Sequence, residues 1–237
     1  MRNMKKVRIL FCIILLLMFC QFKSFAQQNI ISIPSADILK PGEILLKQST
    51  DFRPFQPDAF VLLSPYVSYG IEHNINIAAG TNINITDETD VKGRFALKKV
   101  IFLSKDKDTR FTYETIITPS FMKAITPNNI TYAHFSQKIR KTGTRLTVGM
   151  YIASSKDFIP DKPGVVLAFE QSTFIKNINL AMDWTSRNER YGNLGVGFRY
   201  NPAPTWSITN AVLIPNGSRG DLAFKVSISK YITPQKY

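Results

Sequence analysis

The chain has 237 residues, 44% hydrophobic and 20% charged, with 13 Pro, 12 Gly and 2 Cys. That composition excludes collagen-like, disulfide-stapled and wholly disordered proteins. A formal net charge of +13 would ordinarily raise nucleic acid as a partner, but the position of the charges argues otherwise.

Residues 1–26 are predicted to be a secretory signal. Arg2, Lys5, Lys6 and Arg8 precede an apolar run over residues 9–20, and Ser24-Phe25-Ala26 supplies small residues at both key cleavage positions. The run is too short to cross a bilayer of about 30 Å as a helix. Cleavage is expected after Ala26. A lipoprotein reading needs a small residue before the modified cysteine, whereas Phe11 precedes Cys12 and Phe19 precedes Cys20. Removing Arg2, Lys5, Lys6, Arg8 and Lys23 with no acid lowers the net charge by five, from +13 to +8. Both cysteines leave with them, so no structural disulfide or thiolate metal site is expected. An exported chain seldom meets nucleic acid, which is therefore not an expected partner.

Residues 27–42 read as a periplasmic lead-in, and residues 43–237 as one domain whose dominant period is two. The first clear run is 74–85, where Ile75, Ile77, Ala79, Thr81, Ile83 and Ile85 alternate with Asn74, Asn76, Ala78, Gly80, Asn82 and Asn84. Leu146, Val148, Met150 and Ile152 then oppose Arg145, Thr147, Gly149 and Tyr151. Ile178, Leu180, Met182 and Trp184 oppose Asn179, Ala181, Asp183 and Thr185. The pattern returns at 194–200 and 221–229. Less regular runs at 43–51, 60–70, 94–103, 110–118, 130–138, 164–174 and 204–214 bring the expected count to twelve strands. Their connections tend to alternate long and short, as in outer-membrane barrels with short periplasmic turns and longer extracellular loops. An even count beginning with a long loop puts both termini on one side.

One oily face serves a soluble sandwich as well as a membrane barrel. Two features favour lipid. The other face is rich in Gly, Ala, Asn, Ser and Thr, whereas a wetted surface normally carries about 25–35% charge. Phe111, Tyr113, Trp184, Tyr200 and Trp206 also fall on the oily face near strand ends, as girdle residues do. The expected fold is therefore all-β: a closed antiparallel up-and-down transmembrane barrel of about twelve strands. A soluble periplasmic β-protein is the alternative.

Ile33-Pro34-Ser35-Ala36-Asp37-Ile38-Leu39-Lys40-Pro41-Gly42, Ser68-Tyr69-Gly70-Ile71, and Phe135-Ser136-Gln137-Lys138 leading to Leu146-Thr147-Val148-Gly149 resemble a poorly characterised group of Gram-negative outer-membrane barrels. That group includes barrels associated with exopolysaccharide export. The resemblance implies outer-membrane lipids and the barrel-assembly machinery as partners. Such barrels commonly finish on an aromatic in register with the last strand, whereas here Pro234 separates Tyr237 from it.

His134 and Ser136 share a strand face, so an imidazole could serve as base to the hydroxyl. Outer-membrane lipid hydrolases use such a pair followed by Asn-Gly, but here Gln137-Lys138 follows, and the orienting acid nearest to hand is Glu114. Alternation directs His134 and Ser136 inward, which favours a polar interior pair over an enzyme. His73 falls in a turn. Asp87, Glu88 and Asp90 share a loop that reads as solvated more readily than as a divalent-cation site. No metal or cofactor is expected. The expected lumen lining is Arg94, Lys98, Arg145, Arg187, Arg199 and Lys225 against Glu114, Glu170, Asp183 and Asp221. A wet lumen with that excess would attract anions. The expected function is a narrow pore for small or anionic solutes, against a self-plugged accessory barrel for envelope or exopolysaccharide assembly.

Overall fold

The computed structural model describes residues 29–54, 59–86, 89–121, 128–154, 163–187, 192–217 and 222–234. The expected signal segment, Asp87, Glu88, Asp221 and Tyr237 lie outside them. Twelve strands run in sequence: β1 (Ile44–Arg53), β2 (Phe60–Ile71), β3 (Ile75–Ile85), β4 (Asp90–Phe102), β5 (Thr109–Thr118), β6 (Asn128–Ile139), β7 (Thr144–Ser154), β8 (Gly164–Ser172), β9 (Ile178–Thr185), β10 (Asn193–Tyr200), β11 (Trp206–Pro215) and β12 (Ala223–Ile232). Each pairs antiparallel with its sequence neighbours, and β12 closes on β1 from Ile44↔Ile232 to Phe52↔Phe224. Closure removes the unpaired edges that an open sheet would present.

The oily faces point outward. On β7, Leu146, Val148, Met150 and Ile152 are about half exposed, whereas Arg145, Thr147 and Tyr151 are buried. Leu180, Val196, Phe198 and Ile228 are likewise exposed, with Asp183, Arg199, Ser227 and Ser229 inside. A soluble sandwich would bury the first set, so that alternative fails on geometry. Tyr113, Tyr200 and Trp206 are exposed on the outside, and Phe111 and Trp184 share their strands' outer faces with Tyr113 and Met182.

The two rims differ. One carries the tight connections, where residues with positive φ concentrate: His73 and Asn74 (61° and 59°), Lys107 (62°), Gly143 (68°) and Asn177 (65°). Three residues, Glu72, His73 and Asn74, lie between the Ile71↔Ile75 pair, and the last two take left-handed positions. The strand ends that flank the longer connections, Thr118 and Asn128, Ser154 and Gly164, Thr185 and Asn193, and Pro215 and Ala223, lie at the opposite rim. The alternation is imperfect: β4 begins at Asp90, which shortens its connection to β3 below the 103–108 turn.

Residues 29–42, expected to lead in from outside, occupy the barrel interior. Ile30, Ile31, Ile33, Ala36 and Leu39 are 0–2% exposed. Asn29 bridges antiparallel to Pro34 and the Ile30 N–H donates to the Ile33 carbonyl, so the segment ends in a tight hairpin. It returns to the wall past β2, where Gly42 (φ 80°) donates to the Gly70 carbonyl and Gly70 donates to that of Glu43. A Cβ on Gly70 would overlap the Lys40 carbonyl. The physical reason for this placement is in the side chains: a segment with four isoleucines and a leucine needs a dry surface, and the small inner face of the barrel supplies one.

Candidate functional site: the occupied lumen

The isoleucines of the hairpin pack against Tyr132, Tyr151, Ala153, Val166, Ala168, Ala181, Ala211, Leu213 and Ala223, which line β6–β9, β11 and β12. Leu39 forms a second apolar contact with Leu45 and Tyr231 near the tight-turn rim. Alanines on the wall leave room for a chain inside, which is why this side of the lumen is dry.

Two carboxylates fasten the hairpin. Asp183 of β9 points inward, and its Oδ2 accepts the backbone N–H groups of Ile31, Ser32 and Ile33 at 2.9, 2.6 and 3.0 Å. Three consecutive amides around one anionic oxygen form a backbone nest. Asp37 of the hairpin meets the wall lower down. Arg145 of β7 donates through both terminal nitrogens to its two oxygens at 2.9 Å, and Arg110 of β5 donates to Oδ1 at 2.8 Å and to the Ala36 carbonyl at 3.0 Å. Burial alone would raise the Asp37 pKa, but the guanidinium groups of Arg145, Arg110 and Arg199 hold it well below the usual carboxylate range. Glu170 then continues the network, accepting from Arg145 at 3.4 Å and from Arg199 at 3.1 Å. Asn29, at the hairpin end, accepts from Lys47 and from the Tyr66 hydroxyl at 3.3 and 3.0 Å.

The β2–β6 side of the lumen is wetter in character. Here Asn29, Tyr66, Ser68, Asn76, Ala78, Arg94, Ala96, Lys98 and Glu114 surround a cavity of about 10 Å3, room for about one water. Lys98 and Glu114 stand directly opposite in the β4–β5 register. Arg94 lies over the Tyr66 ring at 5.3 Å. Both side-chain polar atoms of Asn76, the Thr112 hydroxyl, Glu114 Oε2 and both ring nitrogens of His134 are buried without a hydrogen-bonding partner among the described residues. These atoms lie on the inner faces of β3, β5 and β6 and make this the more polar side of the lumen.

Of the residues expected to line the lumen, Arg94, Lys98, Glu114, Arg145, Glu170, Asp183, Arg199 and Lys225 are on inner strand faces; Lys225 pairs with Asp51 at 3.0 Å. Arg187 follows β9 outside any strand, with φ 88° and its carbonyl accepting from Asn216. Three members of the network escaped the alternation. Arg110 shares the inner face of Thr112 and Glu114 but opens its strand, and Lys47 sits on an irregular one. Asp37 lies outside every strand.

His134 and Ser136 are buried in the lumen, facing away from lipid. Ser136 Oγ is 2.7 Å from Thr147 Oγ1 across the β6–β7 pair, and neither imidazole nitrogen bonds to it. A nucleophile engaged elsewhere and a base without an orienting acid do not make an acyl-transfer site. Asp90 pairs with Lys92 at 3.3 Å, and among the described residues no group of three His, Cys, Asp or Glu converges for a metal.

No family model matches the chain, and no curated protein does. Solved structures do. The barrel is similar to a KdgM porin, at 7% identity and a TM-score of 0.60, covering 78% of this chain and 98% of the porin. It is similar to a KdgM porin in complex with disordered oligogalacturonate, at 9% identity and a TM-score of 0.57, with 79% and 98% covered. A third structure, from work on in-meso crystallisation of membrane proteins, gives 12% identity, a TM-score of 0.52, and coverage of 80% and 83%. At these identities what is shared is the fold: a closed antiparallel β-barrel.

Proposed function

We propose that this protein is an outer-membrane barrel that passes small anionic solutes through a narrow, basic lumen. The observation that carries the reading is the inversion of the usual protein surface: apolar side chains outside, and Arg94, Lys98, Arg110, Arg145 and Arg199 inside, in excess over the acids that face them. Such an exterior is stable only in lipid, and such an interior favours anions wherever water enters. On this reading Arg94 and Lys98 line the polar side of the lumen along which an anion would be drawn. On the same reading the chain is a channel and not an enzyme, inserted by the barrel-assembly machinery after loss of residues 1–26. The resemblance of the Ile33–Gly42 stretch to barrels associated with exopolysaccharide export supports a narrower version, in which the anions are acidic saccharide fragments. The porin neighbour solved with oligogalacturonate, a carboxylated saccharide, is consistent with that class.

The experiment is single-channel recording in a planar bilayer under a salt gradient. The native protein is expected to give a reversal potential on the anion side, and Arg94→Glu combined with Lys98→Glu to move it toward cations. A folded, heat-modifiable barrel that carries no current under any condition would remove the pore.

A further inference from the structure

The hairpin is gripped by side chains and not woven into the wall. No strand ladder joins residues 29–41 to the barrel among the described residues; the contacts include the Asp183 nest, the Asp37 ion pairs, the hydrogen bonds of Asn29 to Lys47 and Tyr66, and the packing of the isoleucines and Leu39. Contacts of this kind release together, whereas a strand would have to be peeled from its neighbours.

What release would leave behind is informative. Glu170 already serves Arg145 and Arg199 from the wall. Without Asp37, Arg110 and the other edge of the Arg145 fork would face the lumen with no carboxylate, and an uncompensated buried guanidinium is unfavourable. Arg145 binds Asp37 through two parallel N–H···O contacts, the geometry by which a planar fork recognises any carboxylate. Withdrawal of the hairpin is therefore coupled to the arrival of an anion of the same shape.

We propose that residues 29–42 are a tethered plug, and that the Arg110–Arg145 pair is a carboxylate-binding site which the plug fills with its own Asp37 until a carboxylate-bearing solute replaces it. This rests on the pore reading above and adds a gate to it. The solute's carboxylate and Asp37 compete for one pair of arginines.

The test locks the plug. A Cβ at position 195 lies 3.4 Å from the Ile31 Cβ, just inside the usual disulfide separation, and 2.6 Å from Asp183 Oδ1, so the carboxylate that holds the Ile31–Ile33 amides must shift; the oxidised and reduced forms share that shift, and only the cross-link distinguishes them. An Ile31→Cys/Gly195→Cys variant is recorded oxidised and then reduced. Reduction is expected to raise the open fraction by about tenfold or more. Exchanging chloride for acetate at constant ionic strength should raise the open fraction of the native protein and leave Asp37→Ala unresponsive. Equal currents from the oxidised and reduced forms overturn the plug, and an acetate response that survives in Asp37→Ala, or is missing from the native protein, overturns the competition. A variant lacking residues 29–41 separates the two readings. If it folds and carries no current the pore itself falls; if it conducts while the locked and reduced forms agree, only the gate falls.

Discussion

At the scale of single residues, one carboxylate oxygen does the work that a turn usually does for itself. The Ile31, Ser32 and Ile33 amides are buried or nearly so, and each would be without a partner if Asp183 were shortened. An unsatisfied buried donor costs about 1–3 kcal/mol, so Asp183→Ala should free the hairpin while the barrel wall, held by its ladders, persists. The expected outcome is amide exchange at Ile31–Ile33 faster by roughly two orders of magnitude, with heat-modifiable migration on gels unchanged; unchanged exchange would mean the isoleucine packing suffices. Asp37 makes a pH prediction with a definite sign. Its native pKa is held below the free value of 3.8 by Arg145, Arg110 and Arg199 despite burial. The stabilisation is therefore fully present above about pH 4 and is lost as pH falls further, through the native value. Protection of the hairpin amides, compared with the intrinsic exchange rate, should be flat from about pH 8 to pH 5 and decline in stronger acid. A decline already at pH 6 would place the controlling group elsewhere.

At the scale of elements, period two decides the strands and also hides the hairpin. On β7 and β9 the alternation is strict because each strand separates lipid from a crowded interior, and both boundaries and faces are legible in the residues. Where the inner face packs the hairpin, the code blurs: Tyr66, Ile116, Tyr132, Val166 and Leu213 point inward although they are apolar. Those residues made runs such as 60–70, 130–138 and 164–174 look irregular, and the irregularity was itself the trace of something apolar inside. The outer face makes a sharper prediction. Val148 is 54% exposed at the middle of β7. An arginine on the lipid face near the bilayer midplane costs about 2–4 kcal/mol, so Val148→Arg should lower the denaturant midpoint for folding into vesicles by a corresponding amount. Thr147→Ser, one residue away and facing the lumen, should shift it by under about 1 kcal/mol, because the hydroxyl that meets Ser136 is retained. Equal effects at both positions would mean that the outer face does not meet acyl chains.

At the scale of the whole molecule, the wall of the lumen was readable and its content was not. Alternation assigned Lys98, Glu114, Arg145, Glu170, Asp183 and Arg199 to the interior because a strand carries its own orientation in its sequence. Asp37 carries none: Ile30, Ile31 and Ile33 show that the segment wants a dry surface, but only the folded wall shows that the surface is the barrel's own interior. The long-range pairing of Asp37 with Arg145, 108 residues apart, has no local signature. The consequence is a lumen in which charge is largely, but not fully, neutralised within a low-dielectric enclosure. Selectivity from such an arrangement is electrostatic, so it must depend on screening. The Debye length falls from about 10 Å at 0.1 M salt to about 3 Å at 1 M, less than the radius across which the arginines act on an ion in a barrel of this size. The anion-to-cation permeability ratio should therefore drop toward unity between those concentrations. A ratio independent of salt would point to selection by steric fit, and the basic lining would then have to be explained by its pairing with Asp37 and Glu170 alone.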